Sequence, residues 1–213
     1  MAEDLDDFHV EPVRGLPERP PEGEKILWQG APNSWALARE ALSLYWVAGY
    51  FVLLAAWRGG VTWDRSESVA MGLKATVPYL VMGIVACAVL ALIALVLAKT
   101  TVYTITNRRV AMRIGAALTV TLNVPYTMLG SADLRMRRDG TGTIALDLMG
   151  TTRLSYLVCW PHVRPWHMSP TQPALRAIPD AKAVSAILAE AARTRIEERA
   201  QTVEIRAVQM PAE

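Results

Sequence analysis

The residues best suited to chemistry lie together in the segment CWPHVRPWH, residues 159–167. Cys159, His162 and His167 supply a thiol and two imidazoles, which are common zinc ligands, and the spacing of the first two can place both on one metal ion. Only these three candidate ligands are present, however, and their spacing belongs to no common zinc motif. We therefore predict no metal site, no bound cofactor and no catalytic residue here.

The same segment is rich in residue types that form contacts between proteins. Tryptophan and arginine are frequent anchors of interfaces, and rigid aromatic rings and prolines give contact area at low entropic cost. We predict a loop that contacts a partner through Trp160, His162, Arg164, Trp166 and His167. The alternative is a loop fastened against the chain's own fold.

No motif elsewhere in the sequence indicates an enzyme. The chain has no nucleophile elbow, P-loop or dinucleotide fingerprint, and the GxG of DGTGT, residues 139–143, lies in a predicted hairpin turn with no helix after it. The basic residues are few and close to the predicted membrane segments, so nucleic-acid binding has no support. We predict a protein that is not an enzyme.

Two apolar runs predict a transmembrane hairpin over residues 41–98. Residues 75–98 contain no charged side chain, and a helix of 24 residues is long enough to cross a bilayer. Residues 41–57 are at the short end of the spanning range, but tyrosine and tryptophan lie near their ends, where such rings favour the headgroup layer. Two spans place both termini on one side of the membrane.

That side is predicted to be the cytoplasm. The acidic start of the chain lacks the basic and apolar regions of a signal peptide. Positively charged residues favour the cytoplasmic side. They are slightly more numerous after the second run, at Lys99, Arg108, Arg109 and Arg113, than between the runs, at Arg58, Arg65 and Lys74.

The segments outside the hairpin differ in composition. Residues 1–25 are acidic and proline-rich, which predicts a flexible tail, and residues 26–40 form a lead-in before the first span. Residues 199–213 form a C-terminal tail, whose short alternation around Val203 and Ile205 is compatible with strand addition to a partner or with no order.

Alternating β-branched residues predict several strands after the second span. Residues 101–115 read as a hairpin around an Asn-Arg-Arg turn, and residues 132–148 as a second hairpin around Asp-Gly. Residues 118–126 and 152–160 supply further predicted strands, and an apolar stripe after Asp180 predicts a closing helix. The predicted fold class is membrane α+β, with a transmembrane hairpin followed by a small barrel or sandwich and a C-terminal helix.

Basic and small residues are candidates for contact with the membrane or a partner. A lipid-facing or partner-facing basic patch is predicted, unless its members point in different directions as ordinary solvated charges; these are Arg108, Arg109, Arg113, Arg135, Arg137 and Arg138. Small side chains in the spans allow either close approach of a partner helix or packing of the hairpin on itself; these are Gly49, Gly83, Ala86, Ala88, Ala91 and Ala94.

Several motifs resemble known families. The sequences YTITNRRVAMRIG, RDGTGTIALDL and AIPDAKAVSAIL make residues 99–198 similar to the bacterial PH-like domain, a curved barrel capped by a C-terminal helix. GLPERPPEGEKILWQGAPNSWALARE and CWPHVRPWHMSPTQPALRAIPDA resemble the PuhB family of photosynthetic complex assembly proteins from purple bacteria.

This resemblance implies a non-enzymatic assembly factor for the photosynthetic reaction centre and the core light-harvesting complex. Its expected location is the bacterial cytoplasmic membrane, inner or intracytoplasmic. Its expected partners are reaction-centre and core light-harvesting subunits, other assembly factors and membrane lipids, and self-association is left open. Because a fold alone does not define a function, the alternative is a general PH-like membrane adaptor or lipid-surface binding module unrelated to photosynthesis.

Overall fold

The computed structural model describes residues 13–115, 119–150 and 154–209, with the side chains of residues 202–209 not described. The chain divides into two compact units. The helical unit comprises Ser34–Ala98, and the sheet unit comprises Met1–Asn33 together with Lys99–Glu213.

The helical unit consists of a short helix α1 (Ser34–Glu40) followed by two long helices, α2 (Leu44–Ser66) and α3 (Val69–Thr100). Both α2 and α3 are long and apolar enough to cross a membrane. Within the apolar 18-residue stretch of each helix, only 17% (α2) and 11% (α3) is buried within the protein. The predicted two-helix hairpin is confirmed. Helix α2 begins three residues after the predicted start at 41 and continues past 57, and α3 extends beyond both limits of 75–98, because helical hydrogen bonding continues past the apolar runs into polar residues.

Small residues bring α2 and α3 close together at several levels. A side chain on Gly72 would place its Cβ 2.9 Å from the backbone oxygen of Gly59, and one on Gly83 would lie 2.7 Å from Cβ of Phe51. Ala94 is fully buried on α3. Of the small residues singled out in the sequence, Gly83 and Ala94 therefore pack the hairpin on itself.

The described part of the sheet unit contains eight strands in two antiparallel sheets, two α-helices and a short 3-10 helix at Tyr126–Met128. The first sheet has the order β1 (Ile26–Gly30), β2 (Val102–Thr106), β3 (Arg109–Ile114) and β4 (Val120–Pro125). The second has the order β5 (Leu129–Met136), β6 (Gly142–Leu148), β8 (Thr171–Ile178) and β7 (Val163–Met168). Helix α4 (Tyr156–Cys159) precedes β7, and α5 (Ala181–Gln209) follows β8.

Both predicted hairpins are present. In the first, Ile105 pairs with Val110 on either side of the turn. In the second, Met136 pairs with Gly142 across a turn in which Gly140 has φ +79° and the carboxylate of Asp139 accepts the backbone N–H of Thr141. Glycine adopts this left-handed backbone without steric cost, which explains why the turn forms here.

The two sheets and α5 enclose one hydrophobic core. Val184, Leu188 and Ala191 of the predicted apolar stripe are buried, and they pack with residues from both sheets. The core includes Tyr103, Ile105, Met112, Tyr126, Ile144, Leu146, Val163, Leu175 and Ile178. The predicted closing helix is confirmed.

Two sequence predictions about the second half of the chain are wrong. In the predicted strand at 152–160, residues 156–159 form the single turn of α4, and residues 151–153 lie outside the described residues. The C-terminal tail predicted at 199–213, for which strand addition to a partner and absence of order were both open, instead continues α5 as far as Gln209. Glutamate, arginine and alanine favour helix here, and the short alternation is too brief to override them.

Part of the segment predicted as a flexible tail, residues 1–25, packs within the sheet unit. Leu16 is 1% exposed, and the Gln29 side-chain amide donates to the backbone oxygen of Arg14. The predicted lead-in at 26–40 also divides, because its first part forms strand β1 of the sheet unit and its last part forms α1. Residues 1–12 lie outside the described residues.

Candidate functional site

The predicted partner-contact loop is a helical turn followed by an edge strand. Trp160 follows α4 and is 44% exposed, while Trp166 is on β7 and is 87% exposed with φ +63°. His167 is half-buried, and its Nδ1–H donates to the backbone oxygen of Pro165 over 3.0 Å. The two tryptophans are thus available for contact, and their role in binding a partner stays a prediction.

His162 is not part of that exposed surface. It is 1% exposed, so its predicted partner contact is wrong. Its Nδ1 lies 2.6 Å from the phenol oxygen of Tyr103, and its Nε2 lies 3.1 Å from Oγ1 of Thr101. The Tyr103 oxygen also accepts the backbone N–H of Arg176 over 3.2 Å. These bonds join Thr101 and strand β2 of the first sheet to His162, just before β7, and to β8 of the second sheet.

The protonation of His162 follows from this network. A phenol that donates to Nδ1 leaves the proton of a neutral imidazole on Nε2, which then donates to Thr101. Burial, and then the positive charge of Arg176, lower the pKa of His162 to about 3. The imidazole is therefore neutral at physiological pH and acts as a structural cross-link.

Arg164 takes part in a polar network across the second sheet. Its guanidinium donates to the carboxylate of Asp133 on β5 over 2.8 Å and to the side-chain oxygen of Gln172 on β8 over 3.0 Å. The Gln172 amide in turn donates to the carboxylate of Asp147 on β6 over 2.9 Å. Arg164 thereby ties its edge strand to the rest of the sheet.

The six predicted basic residues do not form one exposed patch. Arg113 is 5% exposed on the central strand β3, so its predicted role in a surface patch is wrong. Arg109 forms a bidentate ion pair with Glu24, at 2.9 and 3.2 Å, and the Glu24 side chain is only 3% exposed. The first arginine is thus buried within the sheet unit, and Glu24 of the N-terminal segment neutralises the second.

The other basic residues lie in two places. Arg108 is half-buried in the turn between β2 and β3, beside the backbone of Gly23. Arg135, Arg137 and Arg138 are exposed at the end of β5 and in the turn that follows it. These three arginines are exposed and close together in the sequence, and their contact with lipid or a partner stays a prediction.

The candidate metal ligands differ in their surroundings. Cys159 is buried, and burial raises the pKa of its thiol. Both ring nitrogens of His162 lie within hydrogen-bonding distance of other side chains. Within the described ranges, no group of three or more His, Cys, Asp or Glu side chains is placed to hold a metal ion.

Sequence reasoning missed a groove between β1 and α5, with a volume of about 710 Å³. Leu27, Ile187 and Ala191 give it apolar walls, and Glu190 and Glu198 add negative charge. Its remaining lining residues are Asn107, Ala186 and Thr194. The groove depends on the pairing of β1 with β2, which no short-range pattern indicates because 71 residues separate the two strands.

The helical unit has a second, almost wholly apolar groove of about 370 Å³ between α2 and α3. Phe51, Val52, Leu80 and Ile84 contribute to its walls. Further small residues of the hairpin, Gly49 and Ala88, are exposed, and nothing lies within 4 Å of a Cβ built on Gly49. They leave flat places on the hairpin surface where another helix can approach closely.

Two long apolar helices, two antiparallel sheets and a closing helix define a membrane α+β protein. The chain belongs to the bacterial PH domain family, whose sequence profile matches residues 43–192. It is similar to a protein of Rhodobacter capsulatus described as an uncharacterized 23.7 kDa protein in the puhA 5′ region, with 45% identity over 193 residues and 90% of each chain covered. No solved structure matches this chain.

Proposed function

We propose that this protein is a non-enzymatic assembly factor for the photosynthetic reaction centre and core light-harvesting complex. The observation that carries the proposal is the 45% identity, over nearly the full length of both chains, to a protein encoded in the puhA 5′ region. That position indicates a photosynthesis-related context, which agrees with the resemblance of the flanking motifs to the PuhB family.

The helical unit supports a role in holding membrane partners. Most of the apolar surface of α2 and α3 is not covered by the protein itself, since only 17% and 11% of their apolar 18-residue stretches is buried. Association of helices in lipid depends on small residues that allow close approach. Gly49 and Ala88 provide such places on the outer surface of the hairpin.

The sheet unit supports a second contact outside the bilayer. The groove between β1 and α5 combines apolar walls with the carboxylates of Glu190 and Glu198, which suits an apolar segment that carries basic residues. A partner subunit bound in this groove would be held before its final neighbours arrive. If both termini lie on the cytoplasmic side of a photosynthetic membrane, this second contact would form at the cytoplasmic face of that membrane.

The side chains that could do chemistry agree with a binding role. The imidazole of His162 is neutral and engaged with two hydroxyl groups, and Cys159 is a buried thiol with a raised pKa. Reactive cysteines are generally exposed and have lowered pKa values. An assembly factor requires neither group to react.

The proposal is tested by the near-infrared absorption of membranes from a deletion strain grown under conditions that induce photosynthesis. We expect a specific loss of reaction-centre and core-antenna bands while other pigment complexes remain, and recovery when the gene is restored. An unchanged spectrum would overturn the proposal and favour a PH-domain membrane adaptor without a photosynthetic role.

A further inference from the structure

The segment from α4 to β7 exposes an unusual amount of apolar surface. Leu157 is 84% exposed and Trp166 is 87% exposed, and three other large side chains in this stretch are also exposed. We call this set the α4–β7 apolar surface; its members are Leu157, Val158, Trp160, Trp166 and Met168. Exposed apolar side chains concentrated in one segment generally mark a binding surface for a protein or a membrane.

The chain itself places this segment near the end of a candidate membrane span. Helix α3 ends at Thr100, its charge-free run ends at Ala98, and Thr101 is the next residue of the chain after the helix. Oγ1 of Thr101 lies 3.1 Å from Nε2 of His162. Trp160 is two residues before His162, so their Cα atoms are at most about 7 Å apart. Trp160, in the α4–β7 segment, is therefore close in space to the residue that follows α3 in the chain.

Little charge accompanies the apolar side chains. From residue 157 to residue 168 the only Asp, Glu, Lys or Arg is Arg164, and its guanidinium bonds Asp133 and Gln172 within the sheet unit. His162 is buried and neutral. The surface thus offers few charges to steer or orient a protein partner, although it has the aromatic and aliphatic content that suits an interface with lipid.

We propose that the α4–β7 apolar surface inserts into the headgroup layer of the phospholipid bilayer that α2 and α3 cross. Tryptophan rings concentrate at this depth in membrane proteins, and leucine, valine and methionine beside them bury apolar area in the same layer. The Thr101–His162 hydrogen bond keeps the start of this surface close to the residue that follows α3. The sheet unit is then attached to the membrane at the end of α3 and also through this surface.

This inference is independent of the photosynthetic role, since it requires only that α3 crosses a bilayer. It also assigns Trp160 and Trp166 to contact with lipid, whereas the sequence predicts that they contact a protein partner. A protein partner on the same surface is one outcome of the experiment below, and it would overturn the inference.

The first test is fluorescence quenching of the full chain in nanodiscs of phosphatidylcholine and phosphatidylglycerol. The chain contains seven tryptophans, so the signal of Trp166 is obtained as the difference between the unmodified protein and Trp166→Phe. We expect lipids brominated near the headgroup to remove most of this difference signal, and iodide in the aqueous phase to leave it largely unchanged. Strong quenching by iodide with no effect of brominated lipid would overturn the inference.

A matched control uses the exposed Ile196 on α5, which lies outside the proposed surface. The tryptophan of Ile196→Trp should respond to iodide and not to brominated lipid. Because both side chains are exposed, neither substitution removes a core contact.

A photo-reactive amino acid at position 166 then separates lipid from protein in native membranes. Lipid adducts are the expected product. Adducts with a protein and none with lipid would show that the surface serves a protein partner.

Discussion

The phenol oxygen of Tyr103 lies 2.6 Å from Nδ1 of His162, and both side chains are buried. Tyr103 belongs to β2, which directly follows the second long helix, while His162 immediately precedes the edge strand β7. One hydrogen bond therefore joins segments 59 residues apart in the sequence. Because the phenol oxygen also accepts the backbone N–H of Arg176, the same atom contributes to the attachment of β8.

Tyr103→Phe should destabilise the sheet unit. The change leaves His162 Nδ1 without its donor and the backbone N–H of Arg176 without this acceptor, at a cost of about 1–3 kcal/mol for a buried polar group. The melting temperature should fall by roughly 2–4 °C for each kcal/mol in a chain of this size. Circular dichroism of the detergent-solubilised protein measures the shift.

Tyr156→Phe is the matched control, because Tyr156 is half-buried and its hydroxyl has no hydrogen bond among the described residues. Its melting temperature should stay close to that of the unmodified protein. Equal shifts for the two variants would show that the Tyr103 network adds no specific stability.

Stability should fall with acidification through the titration of His162. Its pKa is about 3 in the folded protein and near 6.5 when unfolded, so between these values the unfolded state binds the additional proton. This contribution to stability is complete above pH 6.5 and is lost as the pH falls, by up to about 1.4 kcal/mol per pH unit. The unfolding free energy should therefore decrease between pH 6.5 and pH 5.

His162→Gln isolates this effect, because glutamine does not titrate. The variant should be less stable at neutral pH but should show a flatter dependence over the same range. The same slope in the unmodified protein and His162→Gln would assign the pH effect to other groups.

Glu24→Gln should show that the N-terminal segment contributes to the stability of the sheet unit. The substitution removes a nearly buried carboxylate that binds Arg109 in a bidentate pair. Loss of such charge-assisted bonds costs about 1–3 kcal/mol, and Arg109 is partly exposed, so water screens some of this effect. Thermal unfolding should detect the loss, whereas the exposed Glu22→Gln should cause little change. Equal stability of the two variants would contradict this role of Glu24.

The sequence predicted those parts of the fold that depend on local patterns. A charge-free run, alternation around an Asp-Gly turn and an apolar stripe with helical spacing each act over a few neighbouring residues. Strand β1 was missed because the whole transmembrane hairpin lies between it and its partner strand β2 in the sequence. Strands β7 and β8 were missed because prolines and an irregular register, with only Val163–Pro173 and Met168–Thr171 paired, obscure the alternation.

The candidate site was predicted less completely for the same physical reason. Residue type predicted that Trp160 and Trp166 are contact residues, and both are exposed, although the contact itself stays a prediction. Residue type alone could not show that His162 is buried or that Arg113 is covered, since burial depends on which strands become neighbours. Arg109 likewise acquires its role from a glutamate 85 residues earlier in the chain.

Gly49→Leu should impair assembly without disrupting the hairpin. A Cβ at position 49 has nothing within 4 Å, so the protein itself has room for the larger side chain, and leucine favours helix more than glycine does. A bulky side chain would nevertheless prevent close approach by a partner helix. In a complemented deletion strain, we expect normal amounts of the variant in the membrane but reduced reaction-centre and core-antenna absorption.

Two further glycines separate partner contact from other effects. Gly60→Leu makes the same change at an open position of α2 beyond the apolar run, so absorption should stay normal. Gly83→Leu would place a side chain against Phe51, so the hairpin itself should be destabilised and the protein level should fall. Normal absorption with Gly49→Leu, at an unchanged protein level, would contradict partner binding at Gly49 and direct attention to the groove between β1 and α5.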